Sequence, residues 1–299
     1  MPGARHRLPL GAAWVAGTLA VDARVRAADG VDVAVHDLGG AGPPMVLAHA
    51  TSLHGLVWEP VASHLTDAFH CIAFDHRGHG DSGVPADRDF GWRGLALDAL
   101  AVVDGLGLER PAGVGHSAGA TALLLAEQAR PGTFRALYCY EPIVVAADPP
   151  LGRDPDNWLA VGARRRREEF GSRPEALANY CGRLPFSRWA SDALAAYVEH
   201  GFADQPDGRV RLKCRRDDEA AVYEMASDHD GWARLGEVSC PVTLACGADT
   251  EAVKPAELAT IAARLPDATI RVVAGVGHFG PLEDPAAVAA SIRESFPPA

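Results

Sequence analysis

The chain has 299 residues, of which 48% are hydrophobic and 22% are charged. This composition excludes an intrinsically disordered chain, a collagen-like fibre and a small disulfide scaffold, and the length suits one large domain or two ordinary ones. The formal net charge of −11 argues against a nucleic-acid partner, because such a partner requires a basic protein surface.

The first 23 residues differ in composition from the rest of the chain. The segment MPGARHR is basic and the segment LPLGAAWVAGTLAV is apolar, which outlines either a weak secretory signal or an N-terminal extension. The apolar run is too short to span a bilayer. We expect residues 1–23 to form a poorly ordered extension. Since no other segment approaches transmembrane length, we also expect a cytoplasmic protein that does not bind a membrane.

Strand patterns and helix patterns alternate through most of the remaining chain. Apolar runs and apolar–polar alternation predict strands at residues 31–36, 45–49, 71–75, 112–116, 136–143, 242–246 and 270–273. Helical spacing of apolar residues predicts helices at residues 58–65, 92–106, 118–129, 255–265 and 286–296. This order predicts an α/β fold, a doubly wound and mostly parallel sheet with helices on both faces.

The alternation stops between residues 147 and 237. This stretch combines mostly helical spacing with aromatic residues that include Trp158, Tyr180, Trp189 and Tyr197. We therefore predict a helical cap at 147–237, inserted between two strands of a core that consists of residues 24–146 and 238–299. Within the cap, the charged run at 164–169 (RRRREE) is typical of a solvated helix face.

The segment Gly115-His-Ser-Ala-Gly119 has the pattern G-x-S-x-G between a predicted strand and a predicted helix. In this context the serine occupies a tight, strained turn, and the flanking glycines allow the strand and the helix to approach each other. The serine hydroxyl then projects at a helix N-terminus, which favours developing negative charge. The pattern makes Ser117 the candidate nucleophile.

Three further segments accompany this motif in chain order. They are His49-Ala-Thr-Ser with Trp58 nine residues after His49, Asp75-His-Arg-Gly-His-Gly-Asp-Ser82, and Gly277-His-Phe279. On these four motifs, the chain resembles the α/β-hydrolase superfamily from about residue 24 to residue 296, with a serine nucleophile as in esterases and lactonases.

The resemblance implies roles for several other residues. His278, in the segment that resembles the loop carrying the base, is expected to activate Ser117, because an unassisted serine hydroxyl is a poor nucleophile. The backbone amides of Ala118 and Thr51 are expected to form the oxyanion hole. The family usually has glycine where this chain has Ala50, which restricts the backbone more and permits a different loop shape.

The acid of the triad has three candidates. The family usually places an aspartate after the strand at 242–246, but Thr250 occupies the corresponding position, flanked by Asp249 and Glu251. Some members, including haloalkane dehalogenases and zearalenone lactone hydrolases, carry the acid at the end of the strand that follows the nucleophile helix, where this chain has Glu141. We favour Glu141, because a carboxylate beside an apolar strand needs a partner such as histidine. Asp249 and Glu251 remain alternatives.

These residues predict a serine hydrolase that cleaves a carboxylic ester or lactone, with a thioester also compatible. An acyltransferase, a carbon–carbon bond hydrolase and a non-catalytic small-molecule receptor of the same fold are the alternatives. The aromatic cap predicts a small-molecule substrate with an apolar or aromatic part. The sequence contains neither a metal-binding motif nor a dinucleotide fingerprint, so we expect no metal and no cofactor. A homodimer is compatible with the sequence.

Overall fold

The computed structural model describes residues 22–296, so the predicted extension at 1–23 lies outside the described residues except for its last two positions. Ala23, at the end of that predicted extension, already begins a strand, which the sequence analysis did not predict. The strands are β1 (Ala23–Arg26), β2 (Asp32–Gly39), β3 (Pro44–Ala48), β4 (His70–Phe74), β5 (Ala112–His116), β6 (Ala136–Tyr140), β7 (Glu169–Phe170), β8 (Phe202–Asp204), β9 (Val210–Leu212), β10 (Val242–Gly247) and β11 (Ala268–Val273).

The helices lie between these strands much as the sequence predicts. They are α1 (Glu59–Ser63), α2 (Trp92–Gly105), α3 (Ala118–Ala129), α4 (Trp158–Arg164), α5 (Arg173–Cys181), α6 (Ser191–His200), α7 (Arg216–Glu224), α8 (Pro255–Ala262), α9 (Gly280–Glu283) and α10 (Pro285–Ser295). Within residues 22–296, none of them combines the length and the hydropathy that a membrane crossing requires.

Eight strands form the central sheet in the order β1-β2-β4-β3-β5-β6-β10-β11. The pairs β1–β2 and β2–β4 are antiparallel, and the remaining pairs are parallel, which confirms the predicted mostly parallel sheet. In this register His116 of β5 lies opposite Tyr140 of β6, and Tyr140 lies opposite Ala245 of β10. The carboxyl ends of these three strands therefore meet at one edge of the sheet.

The sheet has an apolar core on each face, because successive side chains of a strand point to opposite sides. Val46 of β3 belongs to the core that contains Val102 of α2 and Leu123 of α3. Its neighbour Leu47 belongs to the other core, which contains Ile292 of α10. Helices thus cover both faces, and the doubly wound α/β fold is confirmed.

The chain between β6 and β10 forms α4 to α7 and a second, three-stranded sheet in the order β7-β9-β8. The spacing of the apolar residues in this segment predicts only helices. Strands of two or three residues are too short to show a period-two pattern, which is why they were missed. Aromatic side chains hold this segment together, with the rings of Phe170 and Phe202 5.7 Å apart and those of Tyr180 and Tyr197 5.6 Å apart.

Candidate active site

Ser117 occupies the sharp turn between β5 and α3. Its backbone has φ 53° and ψ −117°, a left-handed conformation that is strained for a residue with a side chain. The strain is held by close packing: a Cβ on Gly115 would lie 2.4 Å from Cα of Ala120, and one on Gly119 would lie 2.4 Å from the carbonyl oxygen of Ala48. Both motif glycines are therefore required where the strand, the helix and the loop after β3 meet.

His278 lies in the loop between β11 and α9, and its Nδ1 is 2.7 Å from Oε2 of Glu141. A carboxylate accepts hydrogen bonds only, so Nδ1 carries the proton and Nε2 is left as the basic nitrogen. Glu141 follows β6, has φ 48° and is fully buried. The structure therefore brings the favoured acid candidate into contact with the base candidate.

Two further donors satisfy the buried carboxylate. The backbone amide of Gly247 donates to Oε1 of Glu141 at 3.0 Å, and Oγ1 of Thr250 donates to Oε2 at 2.8 Å. These contacts offset the unfavourable burial of a charged group. Thr250, the residue at the position where the resemblance implied an aspartate, therefore supplies a donor to Glu141 at the end of the neighbouring strand.

The other two acid candidates do not reach the histidine. Asp249 is exposed, and its backbone amide donates to the carbonyl of Val276. The side chain of Glu251 is 89% exposed and pairs with Lys254. Within residues 22–296, neither carboxylate hydrogen-bonds to His278.

The loop that carries His278 is fastened to the ends of β5 and β6. Oη of Tyr140 donates to the carbonyl of Gly277 at 2.7 Å, and Nε2 of His116 lies 2.8 Å from the carbonyl of His278. Burial lowers the pKa of His116 well below its usual value, so its ring is neutral and donates through Nε2. Burial also raises the pKa of Tyr140, which keeps the phenol protonated as a donor. On the other side, Oε2 of Glu283 accepts from the Gly277 amide at 2.8 Å.

The structure does not join Ser117 to His278 directly. Within the described residues the Ser117 hydroxyl forms no hydrogen bond with the His278 ring, although the neighbouring His116 ring lies 5.0 Å from that ring. Such contacts are often long or poorly aligned before a substrate binds. The serine itself is 9% exposed.

Ala118 and Thr51, the two oxyanion candidates, lie on the two segments that meet at Gly119, one at the start of α3 and the other in the loop after β3. Ala118 is the first residue of α3, and Thr51 is 7% exposed in the loop. Neither backbone amide donates to a protein acceptor in the described part of the chain, so both are available to a ligand oxygen. The left-handed residue of this loop is Ser52, with φ 76°, and not Ala50. Alanine is therefore compatible with the backbone conformation at position 50.

Two buried, neutral histidines accept backbone hydrogen bonds in and beside the loop that carries Thr51, here called the oxyanion loop. The Ser52 amide donates to Nε2 of His79 at 3.2 Å, and the His76 amide donates to Nε2 of His49 at 2.9 Å. Burial lowers the pKa of His79 to about 4 and that of His49 well below its usual value, so both rings are neutral acceptors. The Gly55 amide donates to Oδ1 of Asp75 at 2.6 Å. The motif around Asp75 thus positions the loop that carries Thr51.

A cavity of about 450 Å³ opens beside these residues, between the core and the inserted segment. Thr51, Ser52 and Phe279 line it on the core side. The inserted segment contributes aromatic rings to its wall, namely Tyr180, Phe186, Trp189, Tyr197 and Tyr223. It also contributes Arg166, whose side chain is only 19% exposed. The prediction of a solvated helix face is wrong for this residue, because α4 ends at Arg164 and the following turn directs Arg166 inward.

Residues 45–291 match the Alpha/beta hydrolase family. This chain belongs to that family. This α/β hydrolase is 29% identical over 245 residues to the 2-(acetamidomethylene)succinate hydrolase of Mesorhizobium japonicum. The alignment covers 80% of the chain and 83% of the relative. The same chain is 25% identical over 252 residues to the N-formylmaleamate deformylase of Pseudomonas putida, with coverage of 82% and 85%.

A solved structure agrees with these sequence relatives. The crystal structure of an E-2-(acetamidomethylene)succinate hydrolase superposes on this α/β hydrolase with a TM-score of 0.76 and 25% identity, and the match covers 91% of the chain and 97% of that structure. The resemblance drawn from four motifs is thereby confirmed, and the relatives support a hydrolytic enzyme.

Several residues of the site in this α/β hydrolase were not predicted. Thr250 was identified only as the residue at the expected acid position, and Tyr140 and His116 were given no role at the His278 loop. Their contacts join segments more than 100 positions apart in the chain, so no local pattern shows them. The available signal was indirect: each polar residue ends or follows an otherwise apolar strand.

Proposed function

We propose that this α/β hydrolase cleaves a carboxylic ester or lactone through an acyl-enzyme on Ser117, with His278 as the general base and Glu141 as the acid that orients it. The contact of 2.7 Å between Glu141 and His278 carries the proposal, because it fixes the tautomer that leaves Nε2 free to take a proton. Ser117 at the strained turn and the two unoccupied amides of Thr51 and Ala118 support it.

The reaction begins when Oγ of Ser117 attacks the substrate carbonyl carbon while Nε2 of His278 takes the hydroxyl proton. The carbonyl oxygen becomes an oxyanion that accepts hydrogen bonds from the Thr51 and Ala118 amides. The intermediate collapses to an acyl-serine, and the leaving alkoxide receives the proton from His278. Water then attacks the acyl carbon by the same route, which releases the carboxylic acid and restores the serine.

The second candidate is hydrolysis of an acylated nitrogen by the same residues. The names of the two relatives support this alternative, because one refers to an acetamidomethylene compound and the other to an N-formyl compound. The steps differ only in the leaving group, which is then a nitrogen that must be protonated by His278 as it departs. Parallel kinetics on an ester and on the amide of the same acyl group distinguish the two.

The substrate that we propose is a small molecule with an apolar or aromatic part. The aromatic rings of the cavity wall support this choice, since binding pockets of this kind bury most of the surface of a small ligand. Such a substrate places its scissile carbonyl at Thr51 and its apolar part against Trp189 and Phe186.

A fluorophosphonate probe tests the nucleophile directly. We expect covalent labelling that mass spectrometry assigns to Ser117 and that Ser117→Ala abolishes. Product analysis with water and an added alcohol as competing acceptors then separates hydrolysis from acyl transfer. Absence of labelling in the folded protein, together with no turnover of activated esters, refutes the proposed enzyme and leaves a binding protein of the same fold.

A further inference from the structure

The charge of the cavity wall is opposite in sign to that of the whole chain. The chain has a formal net charge of −11. The charged residues of the wall are four arginines and one glutamate, namely Arg165, Arg166, Arg167, Arg183 and Glu219. A cavity with excess positive charge in an acidic protein concentrates anions and raises their rate of association.

Arg166 is the innermost of these cations, and it is held in a fixed orientation. Its guanidinium pairs with the carboxylate of Glu219 and donates from Nη2 to Oη of Tyr197 at 2.6 Å. Burial disfavours its charged form, but Tyr197 and Glu219 outweigh burial and raise the pKa of Arg166 well above its usual value. A guanidinium has five N–H donors in a planar fork, so groups remain to bind a ligand oxygen.

Arg166 is also linked to the oxyanion loop. Oγ of Ser52 donates to Oε1 of Glu219 at 2.5 Å, and Glu219 pairs with Arg166. Ser52 directly follows Thr51, whose amide is a proposed oxyanion donor. Two side chains, those of Glu219 and Ser52, therefore connect the cation to the loop whose Thr51 amide is the proposed oxyanion donor.

The remaining arginines of the wall fall into two kinds. Arg165 and Arg183 are exposed, and neither has a carboxylate partner within residues 22–296. Arg167, by contrast, pairs with Glu175 and lies over the ring of Phe170, with 4.2 Å from its Cζ to the ring centre. Arg165 and Arg183 are therefore available to attract an anion at the rim. Arg166 and Arg167 are both paired with a carboxylate, but only the partner of Arg166 contacts the loop that carries Thr51.

We propose that the substrate carries a carboxylate, which binds Arg166 a few bonds away from the carbonyl that Ser117 attacks. This inference rests on the proposed function and adds a substrate class to it: half-esters and related monoacyl derivatives of short dicarboxylic acids. The apolar part of such a substrate lies against Trp189 and Phe186, and Arg165 and Arg183 attract it to the cavity. A neutral ester of the same size fills the cavity but leaves Arg166 without its ligand.

Two matched esters test the substrate class. One is 4-nitrophenyl hydrogen glutarate and the other is its methyl ester, which differ in the charge of the distal group and by one methyl group. We expect kcat/KM to be about 10- to 100-fold higher for the anionic ester, the size of effect that one charge-assisted hydrogen bond has. Arg166→Gln is expected to abolish this preference, and Arg166→Lys to retain part of it. Equal kcat/KM values for the two esters in the unmodified protein overturn the proposal.

Arg167→Gln is the matched control, since Arg167 lines the same cavity and is also paired with a carboxylate, but its pair with Glu175 is exposed and has no contact with the loop that carries Thr51. It should retain the preference for the anionic ester, and a loss equal to that of Arg166→Gln overturns the specific assignment. Circular dichroism and the Tm establish that each variant is folded. If Arg166→Gln does not fold, the Arg166→Lys variant and glutarate protection, described next, decide the outcome.

A second measurement does not depend on turnover. Free glutarate is expected to slow the labelling of Ser117 by a fluorophosphonate in the unmodified protein, to slow it less in Arg166→Lys, and to have no effect in Arg166→Gln. Failure of glutarate to protect overturns the anion site. Failure of the probe to label Ser117 at all refutes the proposed function instead, so the two failures are distinguishable.

Discussion

Oγ1 of Thr250 donates a hydrogen bond of 2.8 Å to Oε2 of Glu141, the same oxygen atom that lies 2.7 Å from Nδ1 of His278. The position that usually supplies the acid in this family therefore supplies a hydrogen-bond donor to an acid on the adjacent strand. The arrangement works because β6 and β10 are neighbours and parallel, so their carboxyl ends lie side by side.

The first prediction concerns the acid. Glu141→Gln should lower kcat by a factor on the order of 10⁴, the effect of the corresponding acid-to-amide replacement in a serine protease, because the amide stabilises the wrong tautomer of the histidine. Asp249→Asn is the matched control, and its kcat should stay near that of the unmodified protein. Steady-state kinetics on an activated ester measure both variants. Comparable losses in the two variants would show that the assignment of Glu141 is wrong.

The second prediction concerns Thr250. Thr250→Val keeps the shape but removes the donor, so we expect kcat to fall by about 10-fold while KM changes little. The double variant Glu141→Ala/Thr250→Asp moves the carboxylate to the usual position of the family. It should recover part of the activity that Glu141→Ala loses, as measured by kcat/KM on the same ester. If Thr250→Val is fully active, the hydrogen bond has no part in positioning the acid.

The residues that could be predicted from the sequence are those fixed by local sterics. The turn at Ser117 needs glycines within two positions on each side, and this requirement is written into five consecutive residues. The sequence favours Glu141 but keeps Asp249 and Glu251 as alternatives, because the choice depends on the register between β6 and β10. Register is a tertiary property that local sequence does not determine alone.

The inserted segment also contains contacts that local sequence does not determine. The run at 164–169 has the composition of a solvated surface, and most of its side chains are exposed or paired at the surface. Arg166 departs from this pattern because a buried partner, Glu219, lies more than 50 residues later in the chain. A charge pattern read over six residues does not reveal that a distant carboxylate will stabilise one of its cations inside a cavity.

The third prediction compares two buried tyrosines of β6. Oη of Tyr140 donates to the Gly277 carbonyl beside His278, whereas Oη of Tyr138 donates to Oγ of Ser291 at 2.9 Å, in α10. Tyr140→Phe should lower the free energy of unfolding by about 1–3 kcal/mol, since the buried Gly277 carbonyl loses its donor, and Tyr138→Phe by about 0.5–1.5 kcal/mol, since the half-buried Ser291 can bond to water instead. Only Tyr140→Phe should also lower kcat, because it loosens the loop that carries His278, the proposed base.

Urea unfolding and ester kinetics on both variants check this third prediction. An unchanged m value shows that the difference lies in stability and not in the compactness of the unfolded state. A decrease of kcat in Tyr138→Phe that matches Tyr140→Phe would mean that the effect is a general loosening of the sheet.

The fourth prediction is that the protein loses stability in mild acid, because the buried histidines His79 and His54 near the oxyanion loop become protonated on unfolding. Burial lowers the pKa of His79 to about 4 and that of His54 to about 3, while histidine in an unfolded chain titrates at about 6.5. Between these pH values the unfolded chain binds more protons than the folded protein. The stabilisation is therefore fully present above about pH 6.5 and is lost progressively as the pH falls, to about 4 for His79 and to about 3 for His54.

The contribution of His79 to this loss is up to about 3 kcal/mol, since each unit of pKa shift corresponds to about 1.4 kcal/mol. His79→Asn should lower the stability at pH 7, because Nε2 no longer accepts from the Ser52 amide, but it should also flatten the pH dependence between 6.5 and 4. His64→Asn, at an exposed position, is the matched control and should keep the full slope. Urea unfolding at several pH values measures both, and an identical slope in His79→Asn and the unmodified protein would exclude His79 as the group responsible.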